Sequence, residues 1–233
     1  IGFVYSPDFV SGLTVSVDWW NIRIENTQVS DTPNLMLDDC YVKLIESRCA
    51  GFSRDPALQI VNNLTYGLRN AGYTETEGFD FDFSYALETD FGRFNAKWAT
   101  TYISKYETKA TDEAATIPSQ NNGFGEYFRV RSNLNVGWAL NDFGINWGLR
   151  YNSGTKEGCT FDDLCSLPDF QAPDTNGAVT PMNRVGSTTF HDLQFKWNAP
   201  WNASIAIGAN NVFDKSAPVY FSRPASGFAF YGG

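Results

Sequence analysis

Four cysteines are the residues whose spacing sets a chemistry: Cys40 and Cys49 make one close pair, Cys159 and Cys165 another. Thiols placed this way either oxidise to disulfides or hold zinc as thiolates. The zinc reading is weak because no histidine lies near either pair. Three disulfide connectivities are open, and pairing Cys40 with Cys49 and Cys159 with Cys165 closes the shortest rings. Disulfides imply an oxidising, extracytoplasmic compartment. Other chemistry is thin. The Asp-x-Asn-Gly run at residues 174–177 lacks the rest of a calcium loop's ligand spacing, so no metal is assigned and no cofactor is expected. The acids Asp38, Asp39, Asp112, Glu113, Asp162 and Asp163 sit in long polar segments and read as solvated surface. The single histidine, His191, lies on an apolar strand face with no nucleophile to activate, and no glycine-rich phosphate loop follows a strand. No enzyme is expected.

The elements that carry these residues declare themselves by alternation. Across residues 127–151, Phe128, Val130, Leu134, Val136, Trp138 and Leu140 fall on one face, and Arg129, Arg131, Asn133, Asn135, Gly137 and Ala139 on the other. A break at Asn141 and Asp142 follows. Phe143, Ile145, Trp147, Leu149 and Tyr151 then alternate with Gly144, Asn146, Gly148 and Arg150. A period of two on both sides of a two-residue break predicts a β-hairpin with one apolar face. The other face holds glycine, asparagine and spaced arginine, where a soluble sheet would carry Lys, Glu and Thr. The apolar strips run about ten residues and end in Tyr or Trp, the length and girdle of a strand that crosses a bilayer.

Composition agrees with strands in a membrane. Charged residues make up 18% of the chain and aromatics 16%, with a mean hydropathy of −0.30, against about 25% charged in ordinary soluble domains. No uninterrupted apolar run is long enough for a membrane helix. A net charge of −9 excludes nucleic acid as a partner, because phosphate binding requires a basic stripe.

Further strands follow in order. Residues 1–5 form a short one, ending in the Ser6, Pro7, Asp8 turn signal. Residues 12–25 place Leu13, Val15, Val17 and Trp19 opposite Thr14, Ser16, Asp18 and Trp20. Residues 34–46 suggest a short helix tied to Cys49. Residues 64–87 supply a strand with Phe79, Phe81, Phe83 and Tyr85 opposed to Gly78, Asp80, Asp82 and Ser84, and residues 92–106 return with Phe94, Trp98 and Tyr102 outward and Lys97 inward. Asp80 and Asp82 are expected to pair with Lys97. Residues 188–198 alternate His191, Leu193, Phe195 and Trp197 with Asp192, Gln194 and Lys196, and residues 203–210 complete a last hairpin. Connections alternate short (Pro7, Thr89, Asn141, Pro200) and long (residues 26–63, 107–125, 152–187 and 213–233). About eight antiparallel strands with short turns on one side and long loops on the other predict an all-β transmembrane β-barrel, the long loops extracellular.

Four stretches then carry a family resemblance: NNVFDKSAPVYF near the end, the short-turned hairpin before it, GYTETEGFDFDFSYAL, and DWWNIRIEN entering a cysteine-bearing loop. Together they resemble the C-terminal part of the barrel of TonB-dependent outer-membrane receptors. Asn210, Asn211, Val212, Phe213 and Asp214 match the segment that closes the family's penultimate strand; Thr76, Gly78 and Asp80 match a T-x-G-x-E/D segment several strands earlier. The resemblance implies a barrel of about twenty-two strands around a plug, importing a scarce solute with energy from the inner membrane. Residues 1–233 read as part of one barrel domain, with the plug, its TonB-contacting segment and the closing strand outside the sequence. A passive porin or small closed barrel is the alternative, and a soluble β-rich binding protein ranks third.

Site expectations follow from these faces. Asp80, Asp82, Lys97, Arg129, Arg131, Asn133, Asn135, Arg150 and Lys196 are expected to face the lumen. Phe52, Phe124, Phe161 and Phe170 are candidate loop contacts to a ligand, by stacking on sugar rings. The family's receptors with a cysteine-bearing loop after a strand like the one at Asp18, Trp19 and Trp20 include many for carbohydrates. The expected solute is therefore an oligosaccharide, with a ferric siderophore second. Expected partners are outer-membrane lipid and lipopolysaccharide, a small solute, and the TonB system acting through the plug.

Overall fold

The computed structural model describes residues 1–111, 117–159, 164–173 and 176–222. In chain order the elements are β1 (Gly2–Tyr5), β2 (Leu13–Glu25), β3 (Gln28–Ser30), α1 (Pro33–Tyr41), α2 (Glu46–Cys49), β4 (Ser53–Arg54), β5 (Val61–Asn62), β6 (Leu68–Asn70), β7 (Tyr73–Thr89), β8 (Gly92–Lys109), β9 (Ser119–Gln120), β10 (Val130–Leu140), β11 (Phe143–Asn152), β12 (Thr155–Gly158), β13 (Met182–Val185), β14 (Thr188–Ala199) and β15 (Ala203–Ala209). The main sheet runs β1-β2-β7-β8-β10-β11-β14-β15, with β9 added against β8. Every long strand therefore neighbours the next long strand in sequence, an up-and-down meander whose small strands lie in the connections.

Register keeps chemistry in rows. Val136 stands opposite Ala96 and Trp147, and Trp138 opposite Phe94 and Ile145; on the alternate face, Asn135 stands opposite Lys97 and Gly148, and Gly137 opposite Asn95 and Asn146. The row continues outward, where Leu193, Phe195 and Trp197 meet Trp147, Ile145 and Phe143. A slip of one residue would invert every strand. Tight turns hold the register: Asn141 and Asn202 adopt positive φ (51° and 56°), a conformation asparagine tolerates better than most residues.

The apolar face has no cover. Trp98 is 50% exposed, Ile205 49% and Ile207 71%, and a soluble sheet would bury such a row against a second layer. Polar groups on that face satisfy one another: the Trp98 indole N–H donates to Ser132 Oγ at 2.6 Å, and the Thr100 and Ser132 hydroxyls lie 2.7 Å apart. The packed core is instead a small cluster of Phe128, Val185, Phe190 and Tyr220, with Ala217 against it.

Three boundaries differ from the sequence reading. The strand expected from residue 64 begins at Tyr73. Gly72 interrupts it at φ +60°, where a Cβ would lie 1.8 Å from the Lys109 carbonyl oxygen, and of the residues from 64 up to it only Leu68–Asn70 form a strand, the separate β6. The helix expected over residues 34–46 stops at Tyr41, and Leu44 follows at φ +58°. Phe128, expected on the outward face, precedes β10 and is buried against Val185, Phe190 and Tyr220, because the strand's alternation starts only at Val130.

Contacts divide the chain into two units: Ile1–Ile22, Glu75–Glu107 and Ser119–Gly233 form the first, Arg23–Thr74 and Thr108–Pro118 the second. The second is built on α1, whose Thr32 hydroxyl caps the Leu35 N–H at 3.2 Å. Cys40 bonds to Cys49 (S–S 2.11 Å), tying α1 to α2.

Candidate functional site

On the polar face of the first unit the side chains follow the strand period. Thr14, Ser16, Asp82, Ser84, Lys97, Asn133 and Asn135 line one cavity of about 460 Å³, and Asn135, Asn146, Asp192, Gln194 and Asn210 line another of about 340 Å³. Lys196 lies on the same face, opposite Gly144 and Ala206. The expected ion pairs between Asp80 or Asp82 and Lys97 do not form. Asp80 accepts instead from the Thr101 hydroxyl at 2.6 Å, and Lys97 lies across from Asn135. An ion pair the sequence did not single out joins Arg150 to Asp192 at 2.9 Å. Arg131 reaches the Glu126 carbonyl oxygen at 3.5 Å, and its guanidinium carbon lies 4.9 Å from the centre of the Phe128 ring.

The resemblance motifs become contacts here. Trp20 lies against Gly78, where a Cβ would sit 2.7 Å from the indole Cζ2 and 2.4 Å from the Tyr102 carbonyl oxygen. Only glycine lets that ring pass. In the Asn-Asn-Val-Phe-Asp segment, Asn211 turns the chain at φ +52°, donates its N–H to Asp192 at 2.8 Å, and exchanges two hydrogen bonds with the Lys215 backbone. Phe213 then packs edge-on against His191, which also stacks on Trp147. His191 is thus a packing residue.

Connections of the first unit build a second cluster. Phe124 and Phe170 meet edge to face at 6.0 Å, and the Lys156 ammonium lies 5.2 Å from the centre of each ring. Burial, reinforced by the neighbouring charges of Arg129 and Arg184, pulls the Lys156 ammonium below the usual lysine range. A cavity of about 300 Å³ lined by Phe124, Tyr127, Lys156, Met182 and Tyr220 opens beside it. Tyr220 is fixed by hydrogen bonds with Thr155 at 2.8 Å and to the Gly125 carbonyl at 3.1 Å. Cys159 bonds to Cys165 at 2.05 Å in the same region of chain. Of the candidate ligand contacts, the structure brings Phe124 and Phe170 together. Phe52 belongs to the second unit, where it packs against Tyr41 at 5.7 Å. Phe161 lies outside the described residues, as do Asp112, Glu113, Asp162, Asp163 and Asp174. Lys156, Arg184 and Tyr220 carried no signal in sequence, because their meeting depends on strand pairing between distant residues.

The second unit centres on buried acids. Asp31 accepts from Arg48 at 2.8 and 3.0 Å and from Arg69 at 2.8 Å; Asp39 accepts from Lys43 at 2.9 Å and Arg48 at 3.1 Å. Burial works against the Asp31 charge, yet the Arg48 and Arg69 guanidiniums outweigh it and hold the carboxyl below its ordinary range. The network is a brace for the disulfide-tied helices, and its members are already partnered.

No helix among the described residues is long and apolar enough to cross a membrane. Comparison with known proteins gives the fold a lineage. The chain aligns with the outer-membrane transporter YddB from Escherichia coli (TM-score 0.58, 11% identity, 96% of this chain and 29% of that one). It aligns also with the siderophore receptor PirA from Acinetobacter baumannii (0.57, 15%, 97% and 28%). A variant of the ferric enterobactin receptor PfeA from Pseudomonas aeruginosa matches as well (0.55, 15%, 92% and 25%). The chain spans about a quarter of the length of these structures. No curated protein matches it. The family described as TonB dependent receptor-like, beta-barrel matches residues 1–212. An antiparallel meander with one uncovered apolar face, together with that match, places this chain in the TonB-dependent receptor β-barrel family.

Proposed function

We propose that this chain is the C-terminal part of the barrel wall of an outer-membrane receptor that takes up a scarce solute with energy delivered through TonB. The observation that carries the reading is the uncovered apolar row of Trp98, Phe195, Ile205 and Ile207 backed by a face of asparagine, glycine and paired charge. Lipid covers the first face and an aqueous lumen the second. The edge strands β1 and β15 each have one neighbour in the sheet, and backbone groups at a sheet edge have no partner in hydrocarbon. Further strands on both sides would close the barrel around a plug. The tight turns at residues 89–92, 140–143 and 199–203 would face the periplasm, and the disulfide-bearing connections the exterior, beside lipopolysaccharide.

For the solute, the names of the structural neighbours PirA and PfeA support a ferric siderophore. An oligosaccharide is the second reading, favoured by the amide-rich face of Asn135, Asn146, Gln194 and Asn210, whose donors and acceptors suit hydroxyl groups. Uptake of labelled candidate solutes by cells making the full-length protein is the test, run with and without the TonB system. Uptake lost without TonB is expected; uptake that persists would instead favour a passive channel.

A further inference from the structure

Lys156, Arg184 and Arg129 lie close enough for each arginine to act on the Lys156 charge. Lys156 and Arg184 stand directly opposite in the β12–β13 pair, where like charges repel. Arg129 comes in from before β10, its Cγ and Cδ 3.5 Å from where a Gly123 Cβ would be, and the Gly123 carbonyl accepts the Lys156 N–H at 2.9 Å. None of the three cations makes an ion pair among the described residues. Glu126 and Glu157 line the adjoining cavity, and each already has a partner. Glu157 accepts from the backbone N–H groups of Phe221 and Ser222 and from the Ser222 hydroxyl, at 2.6–2.9 Å. Glu126 is bound by the Tyr127 hydroxyl. Arg129 and Arg184 stay exposed to solvent while Lys156 is half-buried between two rings, so Lys156 is the cation of the three whose charge gains most from a bound anion.

We propose that this cluster is a binding site for the oxyanion group of a small planar solute, a carboxylate above all, whose flat body lies in the adjacent cavity of about 300 Å³ beside Phe124 and Tyr127. Lys156 is the central contact. Two aromatic walls keep its ammonium poorly hydrated, so a charge-assisted hydrogen bond to it is stronger than at open surface. Arg184 and Arg129 supply the surrounding positive field, and Tyr220, locked by Thr155 and Gly125, fixes the floor. The site stands apart from the polar face and does not rest on the uptake reading.

Binding of benzoate, benzamide and inorganic phosphate to the purified full-length protein, by calorimetry, tests the site. Benzoate should bind, with benzamide and phosphate each weaker by about tenfold or more. Lys156→Met should lose about tenfold in benzoate affinity, and Lys156→Arg should keep it within about threefold, since arginine retains both charge and stacking. Benzoate should also protect Lys156 from an amine-reactive label in the unmodified protein, a readout that needs no variant to fold. Benzoate affinity unchanged by Lys156→Met, benzamide bound as well as benzoate, or no protection of Lys156 would each overturn the site; phosphate bound as well as benzoate would overturn the planar specificity.

Discussion

Gly78→Ala measures how closely β7 is hemmed in by its neighbours. The added methyl would lie 2.4 Å from the Tyr102 carbonyl oxygen and 2.7 Å from the Trp20 ring. The ring can swing; the carbonyl belongs to the β8 backbone and cannot move without shifting the sheet. Overpacking of this kind costs about 1–3 kcal/mol, and with a backbone atom as the obstacle the upper part of that range applies. The entropy that alanine removes from the unfolded chain returns about 0.4–1 kcal/mol, leaving a net loss of about 2 kcal/mol. Gly144→Ala is the control: its nearest atoms are the Trp138 carbonyl oxygen at 3.6 Å and Lys196 Cβ at 3.9 Å, so only the entropic gain remains. Urea titrations of the two full-length variants in detergent, followed by tryptophan fluorescence, should move in opposite directions. In a Trp20→Ala background the Gly78→Ala cost should shrink but persist, because the carbonyl contact survives. Equal stability of the Gly78 and Gly144 variants would refute the close approach.

Two other predictions test the face assignment and the brace in the second unit. Val136→Arg should impair membrane insertion by about 2–4 kcal/mol while Asn135→Arg is mild, read as the folded fraction in lipid vesicles; equal effects would remove the membrane reading. Because the folded Asp31 carboxyl lies below its ordinary 3.8, its contribution to stability is complete above that value and is lost as pH falls through the folded value. Protease resistance of residues 23–74 should therefore drop as pH falls below about 4, and the loss should be complete at a higher pH in Arg69→Gln, whose folded carboxyl lies closer to its ordinary value. Resistance that stays unchanged as pH is lowered through and below that value would show that the Arg48 and Arg69 pairs do not brace the unit.

Strand faces were legible because a residue period of two is a local property. Val136 and Asn135 are assigned to opposite faces by their neighbours in sequence, and pairing only repeats the assignment from strand to strand. Phe128 escaped that logic. It continues the alternation in sequence, but the strand has not yet begun, and the small core formed with Phe190 and Tyr220 takes the ring. The expected pairing of Asp80 or Asp82 with Lys97 failed for a related reason. Charge and proximity in sequence suggest partners, while register decides them, and register placed Asn135 across from Lys97 and gave Asp80 the Thr101 hydroxyl. Lys156 opposite Arg184 is the extreme case: 28 positions separate them in number, and no local pattern announces a like-charge pair whose cost is visible only once β12 and β13 are joined.

Identities of 11–15% to the aligned structures fit this division of labour. A lipid-facing row needs apolar side chains of almost any shape, because fluid lipid packs against all of them, so the wall constrains pattern far more than residue type. Residue type matters where backbone meets backbone or a chain must turn. Gly78 gives passage to Trp20, and Asn211 reverses the chain while binding Asp192, which in turn holds Arg150. The connections obey neither constraint. They are shaped by disulfides, buried ion pairs and small aromatic clusters, each joining residues of the connections that the strand period does not relate.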